Sequence, residues 1–171
     1  LAKRPVERVV VFSSPMAQFV SGPAYSKLRR VIDFVDIDSD KWAQYARAKP
    51  WPLSWVYERE ARTLFEFERK TANEFDASVF VTEDECEIFR QMAPEITTDV
   101  HAIHNGVDTD YFSPDRSYPN ALPRQCPKLV FTGAMDYWAN VDAVSWFAKE
   151  VFPGIRATVT DAEFYIVGSR P

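Results

Sequence analysis

Cysteine is scarce in this 171-residue sequence: only Cys86 and Cys126 occur, far apart and with no histidine beside either. That spacing supports neither a disulfide framework nor a zinc cluster, and two reduced thiols are the expectation. Histidine is equally rare. His101 and His104 lie three positions apart, so on a regular strand they face opposite sides and cannot share a metal ion without a bulge. No run of Lys or Arg exceeds two residues and the formal net charge is −5, which argues against a nucleic-acid partner. No apolar stretch approaches the roughly 18–20 residues of a transmembrane helix, and no signal-peptide pattern, internal repeat or low-complexity segment is visible.

What is present suits a folded chain. Hydrophobic residues make up 46% and charged residues 26%, enough for a sizeable core. Arg8 to Phe12 is a continuous apolar run of buried-strand type, followed by Ser14-Pro15, an N-cap and first turn for a short helix towards Val20. Val31 to Ile37 predicts a second strand, and Ser39 to Ala48 a helix stopped at Pro50. From Leu53 to Phe75, apolar residues recur at three- and four-residue steps, the pattern of an amphipathic helix. Trp51, Trp55, Tyr57, Phe65 and Phe67 are read as core, because acids interleave with the bases along this helix. Ala77 to Val81 predicts a third strand, and Thr82 with Glu85 a capping box for a helix to Met92. A fourth strand runs up to His104, where Asn105-Gly106 signals a turn at positive φ. Four prolines then punctuate the stretch from Pro114 to Pro127. Lys128 to Thr132 is a strand leading into Gly133. Asn140 is the expected N-cap of a helix that Pro153-Gly154 ends or bends, and Phe164 to Val167 is the last strand. Strand–helix alternation implies parallel sheets with right-handed crossovers, hence an α/β class.

Ligands of such sheets sit beyond the carboxyl ends of the strands. That rule nominates Ser13 and Ser14, Asp36 and Asp38 with Ser39, Thr82-Glu83, His104 to Gly106 with Asp108, and the Gly133 loop. A glycine between strand and helix lets backbone N–H groups approach a phosphate, with help from the helix N-terminus; a tight turn that needs glycine is the plainer reading. Asp36-Ile37-Asp38-Ser39 resembles the nucleophile loop of haloacid-dehalogenase-type phosphatases and the metal motif of GT-A glycosyltransferases. The first of these also needs a downstream lysine and a second acidic cluster, for which no convincing match follows. Capping of the next helix by Asp38 or Ser39 is the simpler alternative.

Ile103, Asn105-Gly106-Val107-Asp108, Phe112 and Pro114 together resemble the segment that joins the two Rossmann-like domains of family-4 glycosyltransferases, which have the GT-B fold. Residues 128–153 and 163–171 resemble the start of the donor-binding domain of that family. With VDIDSDKW at 35–42, the likeness extends to sugar transferases of bacterial exopolysaccharide and exosortase systems. The resemblance implies Rossmann-like parallel sheets and an internal fragment of a two-domain enzyme. Residues 1–112 are then the later part of the acceptor-side domain, 113–127 the connector, and 128–171 the start of the donor domain. It further implies a retaining transfer from a nucleotide-sugar to a saccharide or lipid-linked acceptor, with no obligatory metal or other cofactor. Gly133, Ala134, Met135 and Asn140 would face the donor; Ser13, Ser14, Asp36, Asp38, His104, Asn105, Gly106 and Asp108 would line the acceptor side. The location expected is cytoplasmic, with peripheral association at the inner membrane face. One departure stands out: where many members carry Arg and Lys against the diphosphate, this chain has Ala134 and Asn140. The fragment is expected to be inactive alone, and the acidic segment that meets the donor sugar is expected beyond Pro171. Residues 128–171 are too few for an independent core, so they are expected to pack on the first half or to pair across an exposed strand edge, as in a homodimer. The non-enzymatic rival is an α/β interaction module.

Overall fold

Short β-branched runs alternate with helical stretches, and the strands they form are all parallel. The computed structural model describes residues 5–119, 122 and 126–169. The chain divides into two compact units, Leu1–Asp110 and Tyr111–Pro171.

In the first unit, β1 (Arg8–Phe12), β2 (Arg29–Val35), β3 (Ala77–Phe80) and β4 (Asp99–Ala102) form one parallel sheet in the order β1-β2-β3-β4. The second strand starts and stops two residues ahead of the expected Val31 to Ile37. The Asp33 side chain explains the stop: its Oδ1 accepts the Val35 N–H at 3.0 Å, and the pairing with β3 shifts between Asp33 and Val35.

Strands laid down in sequence order with right-handed crossovers carry their connections on one face. Val11, Ile32, Phe34, Phe80 and Val100 point to that face. They pack with Ala17, with Ala72 and Phe75, and with Cys86 and Phe89, each group from a different connection. Phe34 stacks on Phe80 with ring centres 5.2 Å apart. The opposite row is bare at β1, where Val10 and Phe12 are 75% and 67% exposed, and an open hollow of about 650 Å³ lies beside Val10, Val31 and Ala77.

The covering layer contains α1 (Asp38–Ala48), α2 (Leu53–Glu74) and α3 (Glu83–Met92). α1 packs on α2 through Trp42, Tyr45 and Tyr57, with centroids 5.3–6.3 Å apart. Phe65 and Phe67 pack against the core as expected. Trp51 and Trp55 do not: they are 81% and 61% exposed, because the α2 side chains that join the sheet's core begin only at Phe65. Buried Arg30 joins three elements, donating to the carbonyls of Val20 and Glu74 while lying 4.9 Å from the centre of the Phe75 ring.

The second unit pairs β5 (Lys128–Thr132) with β6 (Glu163–Val167) in parallel. Between them run α4 (Trp138–Trp146), a π turn at Phe147–Val151, and α5 (Phe152–Thr158). The helical run therefore begins ahead of Asn140 and continues through Pro153-Gly154. Proline is tolerated because it stands in the first turn of α5, where a missing N–H is least costly, directly after the π turn. Phe147, Phe152 and Phe164 cluster beneath it. Of the proline-rich stretch, residues 120, 121 and 123–125 lie outside the described residues. Among the described residues no helix is long and apolar enough to cross a membrane.

Candidate functional site

The carboxyl edge of the first sheet gathers most of the expected side chains, and its backbone is strained. Ser13 has φ 72° and Val35 φ 71°. The two residues follow or end neighbouring strands, and the Ser13 N–H donates to the Asp33 carbonyl at 2.7 Å. A β-branched residue at positive φ is a true outlier, costing on the order of 1–3 kcal/mol, and such strain clusters at ligand sites. Ser14 is not the expected cap. It is the first residue of a 3-10 turn, Ser14–Phe19, buried and with no hydrogen-bond partner for its Oγ.

Beyond Val35 the chain is clamped by charge. Lys41 Nζ lies 2.6 Å from Asp36 Oδ2 and 3.3 Å from Asp38 Oδ1. Burial pulls the lysine pKa down, but hydrogen bonds and charge from the two aspartates outweigh this and leave it raised. The capping expectation for Asp38 and Ser39 fails. α1 begins at Asp38 with no side-chain cap from Ile37, and the acceptor comes from another helix. Glu68 of α2 takes the Ser39 N–H at 3.2 Å and the Ser39 hydroxyl at 2.5 Å. Buried at that spot, its carboxyl is raised to about 7 by desolvation, against the lowering effect of the Ser39 hydrogen bonds. Glu85 of α3 is only half of the expected capping box. Its N–H bonds Thr82 Oγ1 at 3.1 Å, while its carboxylate turns away to the Ile37 N–H at 2.9 Å. The loop therefore receives carboxylates from two neighbouring helices.

At the far end of this edge, His104 Nδ1 lies 2.8 Å from the Val81 carbonyl. A carbonyl only accepts, so Nδ1 carries the proton and a neutral ring offers Nε2 as an acceptor. Asn105-Gly106 makes no turn: neither residue has positive φ, and the turn falls instead at Thr109–Phe112. The last sheet bond, from the Ile103 N–H to the Phe80 carbonyl at 2.8 Å, lets the chain leave the sheet in extended form. Asp108 lies on this exposed stretch.

In the second unit the Gly133 loop is held from within. The Gly133 N–H donates to the Val167 carbonyl and the Met135 N–H to that of Ser169, both at 3.0 Å. Asn140 does not cap α4. It lies inside the first turn and its Nδ2 donates to the Ala134 carbonyl at 2.9 Å. A Cβ on Gly133 would stand 2.8 Å from that nitrogen, and a Cβ on Gly168, whose φ is +155°, only 1.9 Å from the Gly133 oxygen. The two glycines thus allow the loops after β5 and β6 to touch. A shallow hollow of about 440 Å³ beside the loop is lined by Met135, Trp138 and the carboxylate-bearing Asp136 and Asp142.

Sequence reasoning missed Lys41 and Glu68, and read Glu85 only as a partner of the Thr82 cap. Glu68 had a signal: it falls in phase with Ala61, Leu64, Ala72 and Phe75 on the apolar stripe of α2. Chemically, the first edge presents hydroxyl, carboxylate and imidazole acceptors with one lysine neutralising two aspartates. That array suits a polyhydroxyl ligand better than an anion, and it leaves the two carboxylates wanted by a phosphatase engaged by Lys41. Among the described residues no group of three or more His, Cys, Asp or Glu side chains is arranged to hold a metal ion. The chain matches no protein-family model and no curated protein.

Proposed function

We propose that this chain is part of a GT-B-type glycosyltransferase of bacterial exopolysaccharide synthesis, in which the first unit serves the acceptor and the second the nucleotide-sugar donor. The observation that carries the reading is the first sheet: four parallel strands in sequence order, with strained, acceptor-rich loops confined to the carboxyl edge. One-sided cover is what half of a doubly wound sheet shows, because strands added beyond the switch point return their helices on the other face. In this reading Asp36, Asp38 and His104 hydrogen-bond the hydroxyls of a saccharide or lipid-linked acceptor, and the transfer proceeds with retention and without an obligatory metal. Trp138 offers a ring to the donor, and the hydroxyls of its sugar meet Asp136 and Asp142. Ala134 and Asn140 supply no cation for the diphosphate, so its charge is neutralised by groups other than these two.

The test is thermal melting and calorimetric titration of the protein with UDP- and GDP-sugars, with and without a chelator. A saturable rise in melting temperature that survives chelation is expected. No response to any nucleotide-sugar would favour an α/β interaction module, a reading to which the internally bonded Gly133 and Met135 amides lend weight.

A further inference from the structure

The Asn105-Gly106 pair is spelled for a tight turn, and the fold leaves it out of one. It lies on the extended exit from β4, where every residue from Ile103 to Asp110 is exposed. A Cβ built on Gly106 would meet nothing within 4 Å, so open space surrounds the bond between the two residues. Glycine brings no side chain to shield its own nitrogen, and it visits backbone angles closed to other residues. Under those conditions an asparagine side chain can meet the next backbone amide.

The other asparagines show how the fold prevents that meeting elsewhere. The sequence has four, at positions 73, 105, 120 and 140, and Asn105 alone precedes glycine. Asn120 lies outside the described residues. Asn73 stands within α2, before Glu74. Asn140 stands in α4, where the Val141 N–H donates to the Tyr137 carbonyl at 3.3 Å. Its own Nδ2 donates to the Ala134 carbonyl at 2.9 Å. An amide held in a helical ladder cannot swing onto the side chain before it. Asn105 is under neither restraint: it lies outside helix and strand, and its neighbour is the smallest residue.

We propose that Asn105-Gly106 is a self-modification site, at which water converts Asn105 to aspartate and isoaspartate. The Gly106 nitrogen attacks Cγ of Asn105, and the new C–N bond closes a succinimide ring. The side-chain amide nitrogen leaves as ammonia, taking the proton that the Gly106 nitrogen gives up. Water then opens the ring. Breaking the Cγ–N bond leaves aspartate; breaking the bond to the main-chain carbonyl leaves isoaspartate, with a methylene added to the main chain. No oxidant, metal or partner is required. Either product adds a negative charge next to His104, at the carboxyl edge of the first sheet. The proposal does not depend on the sugar-transfer reading.

The test incubates the whole chain at pH 6 and pH 8.5 and follows each asparagine by peptide mass spectrometry, with chromatography to separate the two products. Both products are expected at Asn105, forming several times faster at pH 8.5 because the attacking nitrogen must lose its proton. Asn73 and Asn140 should stay intact over the same period. A guanidinium-unfolded sample gives the rate without the fold, and the folded chain should come within tenfold of it. Gly106→Ala should slow conversion at least fivefold with unchanged circular dichroism, since Gly106 is exposed and has no positive φ. A folded chain more than tenfold slower than the unfolded one overturns the proposal, because the fold would then protect the bond. So does a Gly106→Ala variant that converts at the wild-type rate.

Discussion

Glu68 shows how one side chain sets the pH response of a loop. Its carboxyl titrates at about 7 in the folded chain against an ordinary 4.5, so the folded state binds the proton more tightly. The stability this brings is fully present below about 4.5 and is lost as pH rises to about 7, on the order of 3 kcal/mol. Glu68→Gln keeps an acceptor for Ser39 but cannot ionise. Urea denaturation from pH 4.5 to 8 should show the variant gaining on wild type as pH rises, and a constant difference would remove Glu68 from the account. Gly168 makes a steric point at the same scale. The Cβ of Gly168→Ala would land 1.9 Å from the Gly133 oxygen, so β5 and β6 must separate at a cost of about 3 kcal/mol. The check is a urea midpoint for the variant; stability equal to wild type would mean the loops part freely. Neither residue was legible in the sequence as what it is. Glu68 looked like one more surface acid because its stripe position was not weighed against its charge, and Gly168 looked like an ordinary strand end because its neighbour lies 35 residues away.

Elements were legible where one local rule governed them. The stripe of α2, the Thr82 cap and the β1 apolar run all appear where the sequence puts them. Boundaries failed where a side chain or a packing demand intervened: Asp33 ends β2 early, a π turn carries the last helical run past Pro153, and the extended exit from β4 overrides the Asn-Gly turn signal. That exit has a measurable consequence. From Ile103 to Asp110 every residue is exposed, on the stretch that follows the sheet bond of Ile103 to Phe80. Backbone so placed opens at little cost. Limited proteolysis should therefore cut first between Ile103 and Phe112, identified by mass spectrometry of the earliest fragments. A first cut inside Leu53–Glu74 would contradict this picture of the exit.

At the scale of the molecule, the parallel α/β class could be read from strand–helix alternation, but which sheet face is covered could not. The outer row of β1 carries Val10 and Phe12 beside Arg8, apolar enough to have been the packed one, and strand order decides that the connections leave it bare. The two edges of the first sheet then differ. β4 presents Asp99 and His101 on its outer row, polar groups of the kind that blunt an edge, whereas β1 presents Val10 and Phe12 beside backbone that no other strand pairs among the described residues. Parallel sheets are normally covered on both faces, and an exposed apolar row next to an open edge invites a second chain. This chain is therefore expected to self-associate through β1. Sedimentation velocity should show the mean mass rising with protein concentration, and hydrogen exchange at Val9 and Val11 should slow as it does. Val10→Lys with Phe12→Lys places charge on the bare row without touching the packed one, so the double variant should stay monomeric with the same circular dichroism. A wild-type chain that sediments as a monomer at every concentration, with those amides exchanging freely, would show that the β1 edge is left to solvent.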